Sequence, residues 1–71
     1  MTQFAVCINN DGYKASLEVG KLYQMELDKD AASHGYIRVI DESGEDYGYA
    51  ENHFYVLEVP NALATALQKA A

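Results

Sequence analysis

The sequence contains no tryptophan, and it has a single cysteine and a single proline among its 71 residues. One cysteine cannot form a disulfide within the chain, so we expect a small core without a covalent cross-link, in a reducing compartment. Cys7 lies in the apolar run FAVCI and is predicted to be a buried, unreactive side chain. No apolar run approaches the roughly 18 residues of a membrane-spanning helix, and no signal peptide precedes the first apolar stretch. These absences predict a cytoplasmic protein.

Basic residues are also scarce. Five lysines and arginines stand against eleven acids, which gives a formal net charge of −6. The bases are scattered along the chain, whereas non-specific nucleic-acid binding depends on clustered Lys and Arg side chains that neutralise phosphates. We therefore expect neither nucleic acid nor an anionic membrane surface as a partner. A basic protein partner fits the acidic balance better.

Apolar and polar residues alternate with a period of two in several short segments, which predicts β-strands. Between them, residues 13–19 predict an ordered loop whose Leu17 and Val19 fold back on the core. Residues 28–35 predict a polar connection with one helical turn at most, and residues 51–54 a 3₁₀ turn. The predicted strands are 4–8, 21–27, 36–41, 47–50 and 55–59.

The end of the chain predicts a helix. Pro60 ends the last strand and suits a first helical turn, and residues 61–71 are rich in Ala and Leu without glycine. Leu63 and Leu67 lie four residues apart, on one face. A helix this short is marginal alone, so we expect it to dock, on its own sheet rather than on a second chain.

The segment 41-DESGEDYGYAENHF-54 carries the highest density of acids. A calcium-binding helix–loop–helix needs acids at alternate positions, glycine at the sixth position and glutamate at the twelfth, and this spacing is absent. A hairpin explains the segment, because Gly44 supplies a positive-φ residue and Asp41 or Ser43 can bond the turn backbone. We predict a hairpin, with no metal site and no cofactor.

Two stretches resemble the Src-homology-3 (SH3-like) family. Residues 17–25, LEVGKLYQM, are similar to the family's Leu-x-x-Gly-Asp-x-hydrophobic-x-Val segment, and residues 48–55, GYAENHFY, to its Gly-Tyr-Ile-Pro-Ser-Asn-Tyr-Val segment. The resemblance covers about residues 4–59. It implies a mainly β fold: a five-stranded SH3-like small barrel with a short C-terminal α-helix. The chain would be one domain, residues 1–71, with the barrel at about 3–59 and the helix at about 60–70.

The family's binding of proline-rich peptides in an aromatic groove does not carry over residue by residue. The groove tyrosine falls on Phe54, the groove proline falls on Glu51, and the groove tryptophan has no counterpart. Of the first-strand motif only Tyr13 remains, at the end of FAVCINNDGY. The chain also resembles short bacterial proteins that contain IRVIDESGEDY, here residues 37–47, and these imply no activity. The resemblance thus implies an architecture more than a function.

Six tyrosines suggest a binding surface, since exposed aromatic rings bury much area at low entropy cost. If Gly48 and Ala50 face the core, Tyr47 and Tyr49 point outward, and Tyr36 is predicted to point outward too. The alternative is that the C-terminal helix covers these rings with Leu63 and Leu67. The predicted partner-binding residues are the apolar contacts Tyr36, Tyr47, Tyr49 and Phe54 and the acidic rim Glu42, Glu45, Asp46 and Glu51.

Enzyme chemistry finds little support in the sequence. No serine, cysteine or histidine has the spacing of a nucleophile and its base, and a barrel of 71 residues has little room for a catalytic cleft of several hundred Å³. An enzyme built across an oligomer interface stays open. His34 and His53 are predicted to be surface histidines. We therefore predict a non-enzymatic protein-interaction module, a monomer or weak homodimer. Two alternatives remain: a metal- or small-ligand-responsive sensor using residues 41–53, and a structural subunit that docks through its C-terminal helix.

Overall fold

The computed structural model describes residues 2–70, which form one open antiparallel sheet of five strands and a C-terminal helix. The strand order is β4-β3-β2-β1-β5, so β4 and β5 are the two edges. The elements in chain order are β1 (Thr2–Cys7), β2 (Leu22–Glu26), α1 (Lys29–Ser33), β3 (Tyr36–Ile40), β4 (Asp46–Ala50), a 3₁₀ turn (Glu51–His53), β5 (Phe54–Val59) and α2 (Asn61–Ala70).

The strands lie close to their predicted positions, because alternation of apolar and polar side chains follows the pleat of a strand. β1 begins earlier than predicted and ends at Cys7, which leaves Ile8 exposed. The 3₁₀ turn before β5 is confirmed. Residue 71, the last of the predicted helix, lies outside the described residues.

The connection between β2 and β3 holds α1, a helix of five residues and so little more than the one turn expected. A side chain on either side of the connection stabilises it. The Asp28 carboxylate accepts a hydrogen bond from the Ala31 N–H at 3.0 Å and another from Arg38 Nε at 3.2 Å. An N-cap and a partner on β3 thus stabilise a helix too short to form alone.

The main core lies on one face of the sheet. Side chains from all five strands meet there, and Leu17 of the long loop 8–21 closes it. Val19, which was predicted to fold back with Leu17, is exposed, so that prediction was wrong. Antiparallel partners share a sheet face, and the pairs Ala5–Tyr23 and Met25–Val39 line this one. The buried core residues are Ala5, Cys7, Leu17, Tyr23, Val39, Tyr49 and Phe54.

The opposite face of β1 and β5 is covered by α2. Ala64 is buried against Phe4 and Val59, and Leu67 packs on the same cluster, whereas Leu63 is 44% exposed. The prediction that the helix docks on its own sheet is therefore confirmed. The alternative, in which Leu63 and Leu67 cover the tyrosines of β3 and β4, is wrong, because α2 packs on β1 and β5.

The acidic hairpin between β3 and β4 is also confirmed. Gly44 has a φ of +84°, a backbone conformation that residues with a Cβ rarely adopt. The Gly44 N–H donates to the Asp41 carbonyl at 3.0 Å, and the Asp41 carboxylate accepts from the Ser43 N–H at 2.9 Å. The aspartate and serine therefore bond the turn backbone, as the sequence predicted.

Candidate functional site

The structure separates the four predicted apolar contacts. Tyr36 and Tyr47 are 48% and 53% exposed, but Tyr49 is 1% exposed and Phe54 is 6% exposed. The prediction that Tyr49 points outward was wrong, and Phe54 likewise lies in the core rather than on a surface. The residues Tyr36, Tyr47, Tyr49 and Phe54 thus do not form one exposed cluster.

The pairing of β3 with β4 explains the error. Tyr49 is opposite Ile37 and Tyr47 is opposite Val39, and both partners face the main core. Tyr36 is opposite Ala50 and therefore lies on the other face of the sheet. Tyr47 stays exposed although it shares the core-side face of β4, because the core at this edge of the sheet ends with Tyr49.

Around the buried Tyr49 ring, the structure assembles an aromatic surface that consists of Tyr13, Tyr47 and His53. The Tyr13 ring meets the Tyr49 ring edge-on, with centroids 4.8 Å apart, and the Tyr47 ring lies 5.0 Å from it. The His53 ring contacts Tyr13 at 5.3 Å. Tyr13 is 36% exposed, so its ring is open to solvent while its edge is held against the core.

The long loop positions Tyr13. Its N–H donates to the Asn10 carbonyl at 2.9 Å, and its own carbonyl accepts from the Leu17 N–H at 2.9 Å. The Asn10 side chain closes the loop by donating to the Leu17 carbonyl at 3.1 Å. Because Leu17 is buried in the core, these bonds hold the Tyr13 backbone in a fixed place.

His53 was predicted to be a surface histidine, but it is half-buried and has a structural partner. Its Nδ1 lies 2.7 Å from the Asn9 carbonyl, and its own carbonyl accepts from the Ile8 N–H at 2.9 Å. The ring therefore ties the 3₁₀ turn to the start of the long loop. His34 is exposed, as predicted.

Glu42, one of the four acids of the predicted rim, bonds to side chains of this chain. Its carboxylate accepts from Lys21 Nζ at 2.7 and 2.8 Å and from the Tyr23 hydroxyl at 2.5 Å. These bonds, first the one from Lys21 and then the one from Tyr23, hold the pKa of the Glu42 carboxyl below its usual value. Burial and the Glu42 carboxylate raise the pKa of Tyr23. Glu42 thus joins β2 to the hairpin.

Asp41 makes a similar connection to Tyr49. The Tyr49 hydroxyl donates to the Asp41 carboxylate at 2.7 Å. Burial first, and then this bond, raises the pKa of Tyr49 to about 12. Burial opposes ionisation of Asp41, but hydrogen bonds from Ser43 and Tyr49 outweigh it and leave the pKa of the Asp41 carboxyl lowered. The two groups therefore stay as a neutral phenol and a carboxylate at neutral pH.

The other rim acids differ in their surroundings. Arg38 Nη1 donates to the Asp46 carboxylate at 2.9 Å, and the same guanidinium reaches Asp28, which raises the pKa of Arg38. Glu45 and Glu51 are exposed, and neither belongs to an ion pair within residues 2–70. The rim predicted from sequence is therefore partly neutralised at Glu42 and Asp46.

Residues 2–70 also bear on three other kinds of site: a metal site, a membrane-spanning helix and a reactive thiol. No three His, Cys, Asp or Glu side chains among residues 2–70 lie close enough together to hold a metal ion. Within the same residues no helix is both long and apolar enough to cross a bilayer. Cys7 is buried as predicted, and burial raises the pKa of its thiol, whereas reactive thiols have a lowered pKa.

A groove of about 480 Å³ opens beside α2. Its walls come from β1, β2, the start of the hairpin and Leu67 of α2. The chain thus has a groove of several hundred Å³, the size for which the sequence left little room. The groove forms because α2 covers only the β1–β5 part of its sheet face and leaves Leu22 and Ile40 beside it.

Comparison of the chain with protein-family models, with curated proteins and with solved structures found no match in any of the three.

Proposed function

We propose that this chain is a non-enzymatic protein-interaction module that binds its partner through the aromatic surface of Tyr13, Tyr47 and His53. The observation that carries the proposal is that solvent-open rings are packed on a buried one. Tyr13 and Tyr47 both contact the Tyr49 ring, at centroid distances of 4.8 and 5.0 Å. Their exposed faces are thus held in place before any partner arrives.

Fixed aromatic rings suit protein binding for two reasons. A tyrosine buries a large area for only two side-chain torsions, so little conformational entropy is lost when the partner docks. Tyrosine is also enriched among the residues that dominate interface energies. The Tyr13 ring loses even less conformational entropy on binding, because it already packs on Tyr49 and the long loop fixes its backbone.

The charge around the surface favours a basic partner. Glu51 begins the 3₁₀ turn that carries His53, and Glu45 directly precedes the strand that carries Tyr47. Both carboxylates are exposed and outside the ion pairs described above. Complementary charge at an interface rim speeds association and makes the affinity depend on salt.

For the fold we propose a partly open, SH3-like small barrel. Its support is a combination of three connections and a strand order. A long loop, residues 8–21, follows the first strand, an acidic hairpin joins β3 to β4, and a 3₁₀ turn precedes β5. The strand order places β1 between β2 and β5, although the edges β4 and β5 do not pair.

The test uses two tyrosines of matched exposure. Tyr47→Ala removes a ring of the aromatic surface, and Tyr36→Ala removes an equally exposed ring from the other sheet face. Wild type and both variants serve as baits for crosslinked capture from the native cell, and each captured protein is then purified and its Kd measured. We expect a basic partner whose affinity falls about tenfold or more with Tyr47→Ala and is unchanged with Tyr36→Ala.

Two results would contradict the proposal. One is a partner that binds Tyr47→Ala as tightly as wild type. The other is a partner that loses affinity equally with Tyr36→Ala and Tyr47→Ala, since the aromatic surface would then have no special role. A Kd that does not change between about 50 and 300 mM salt would remove the contribution of Glu45 and Glu51.

Neither a metal-responsive sensor nor a subunit that docks through α2 gains a specific observation. Three of the hairpin carboxylates, Asp41, Glu42 and Asp46, already accept hydrogen bonds from side chains of this chain. The helix α2 packs on its own sheet.

A further inference from the structure

The groove beside α2 has an apolar floor. Phe4 and Leu22 come from β1 and β2, Ile40 ends β3, and Leu67 projects from α2. Its volume of about 480 Å³ lies within the range of small-molecule sites, roughly 300–1,000 Å³. The floor can therefore accept a hydrocarbon segment of a small ligand.

One end of the groove is charged. Lys21, Asp41 and Glu42 line it, so one positive and two negative charges leave a net charge of −1. Asp41 and Glu42 both have lowered carboxyl pKa values and are ionised at neutral pH. An apolar floor with a net negative end is complementary to a hydrocarbon that carries one positive charge.

The chain already shows how such a charge is held. Lys21 Nζ donates to both oxygens of Glu42, at 2.8 and 2.7 Å, and lies 5.4 Å from the centroid of the Tyr23 ring. Carboxylate and aromatic ring together form a site for an ammonium group. The Lys21 and Glu42 side chains are 45% and 35% exposed, and an ion pair so open to water contributes little stability. Little stability therefore opposes the displacement of Lys21 from Glu42.

We propose that this groove binds a small amphipathic cation. The ligand's ammonium group replaces Lys21 at the Glu42 carboxylate, and its hydrocarbon part lies on Leu22, Ile40 and Leu67. This site uses none of Tyr13, Tyr47 and His53, so its failure or success leaves the proposed protein-binding surface untouched.

The experiment is a titration of the full chain with n-octylammonium, followed by amide NMR and calorimetry. n-Octanoate, which has a similar tail and the opposite charge, is the ligand control. We expect saturable shifts at Leu22, Ile40 and Leu67 with the amine and none of comparable size with the acid.

Three variants locate the charge. Glu42→Gln keeps a hydrogen-bond acceptor for Tyr23 but loses the negative charge. It should raise the Kd for n-octylammonium about tenfold. Glu45→Gln removes a neighbouring exposed carboxylate that does not line the groove, and it should leave the Kd unchanged. Lys21→Met removes the competing ammonium and should tighten binding about two- to fivefold.

Several results would overturn the proposal. Equal binding of n-octanoate would mean that the floor adsorbs any hydrocarbon. Shifts that do not saturate, or that centre on Tyr13 and Tyr47, would place no site in the groove. If Glu42→Gln does not fold, Lys21→Met tests the proposal instead. An unchanged or weaker affinity of Lys21→Met for n-octylammonium would mean that Lys21 and the ligand do not compete.

Discussion

At the scale of single residues, Tyr49 is the buried side chain that supports the aromatic surface. Its ring supports Tyr13 and Tyr47 and contacts Phe54 at 5.8 Å, and its hydroxyl donates to Asp41. The residue thus connects the core, the hairpin and the aromatic surface. Removal of the whole ring would leave a large cavity in the core, so the role of Tyr49 is better tested by removing the hydroxyl alone.

We predict that Tyr49→Phe lowers the free energy of unfolding by about 1–2 kcal/mol at neutral pH, because a buried hydrogen bond to a carboxylate is lost. The folded protein holds the phenol proton more tightly than the unfolded chain, since the pKa of Tyr49 is raised to about 12. This contribution is complete below a pH of about 10 and is lost as the pH rises towards 12.

Urea titrations between pH 7 and 11.5 measure this prediction. The difference between wild type and Tyr49→Phe should shrink above a pH of about 10, while Tyr23, whose pKa is also raised, maintains part of the alkaline decline in both. Tyr47→Phe is the matched control and should follow wild type at every pH, because the Tyr47 side chain is half exposed. A constant difference between wild type and Tyr49→Phe across this range would contradict the assigned role of the hydroxyl.

At the scale of the elements, the two leucines of α2 looked equivalent in the sequence, four residues apart on one helix face. The structure distinguishes them. Leu67 packs against the cluster of Phe4, Val59 and Ala64, while Leu63 is 44% exposed. Their environments differ because Ala64, not a leucine, is at the centre of the contact with the sheet.

We predict that Leu67→Ala lowers the free energy of unfolding by about 1–2 kcal/mol, below the range for a fully buried leucine because Leu67 is only partly buried. Leu63→Ala should cost less than about 0.5 kcal/mol. Urea unfolding of the two variants measures the difference. Equal losses, or a larger loss for Leu63→Ala, would mean that α2 docks with a different face.

The positions of the strands and of α2 could be predicted because hydrophobic periodicity is a local signal. Which face of β4 points inward could not be predicted from the sequence. Tyr47 and Tyr49 alternate with Gly48 and Ala50, and small residues fit on either side of a sheet. Register with β3 decided it. Tyr13 was missed as a site residue because its placement depends on Leu17 being buried within the same loop. The groove could not be predicted either, because it exists only where α2 stops covering the sheet, and no sequence pattern indicates that point.

At the scale of the whole molecule, acidic charge outweighs basic charge on a particle of about 31 × 26 × 19 Å. Of five bases, Lys21 and Arg38 are held in ion pairs with Glu42, Asp28 and Asp46. A partner that approaches the aromatic surface therefore meets a predominantly negative protein. This distribution adds long-range attraction for a basic partner to the short-range contacts of Tyr13 and Tyr47.

The most direct measurement is site-specific photocrosslinking in the native cell. A benzoylphenylalanine replaces Tyr47 in one version of the chain and Tyr36 in the other, so that two equally exposed rings on opposite sheet faces are compared. We predict a discrete crosslinked partner from position 47 and none, or a much weaker one, from position 36. Crosslinks of equal yield from both positions, or from position 36 alone, would contradict the claim that the aromatic surface is the binding face.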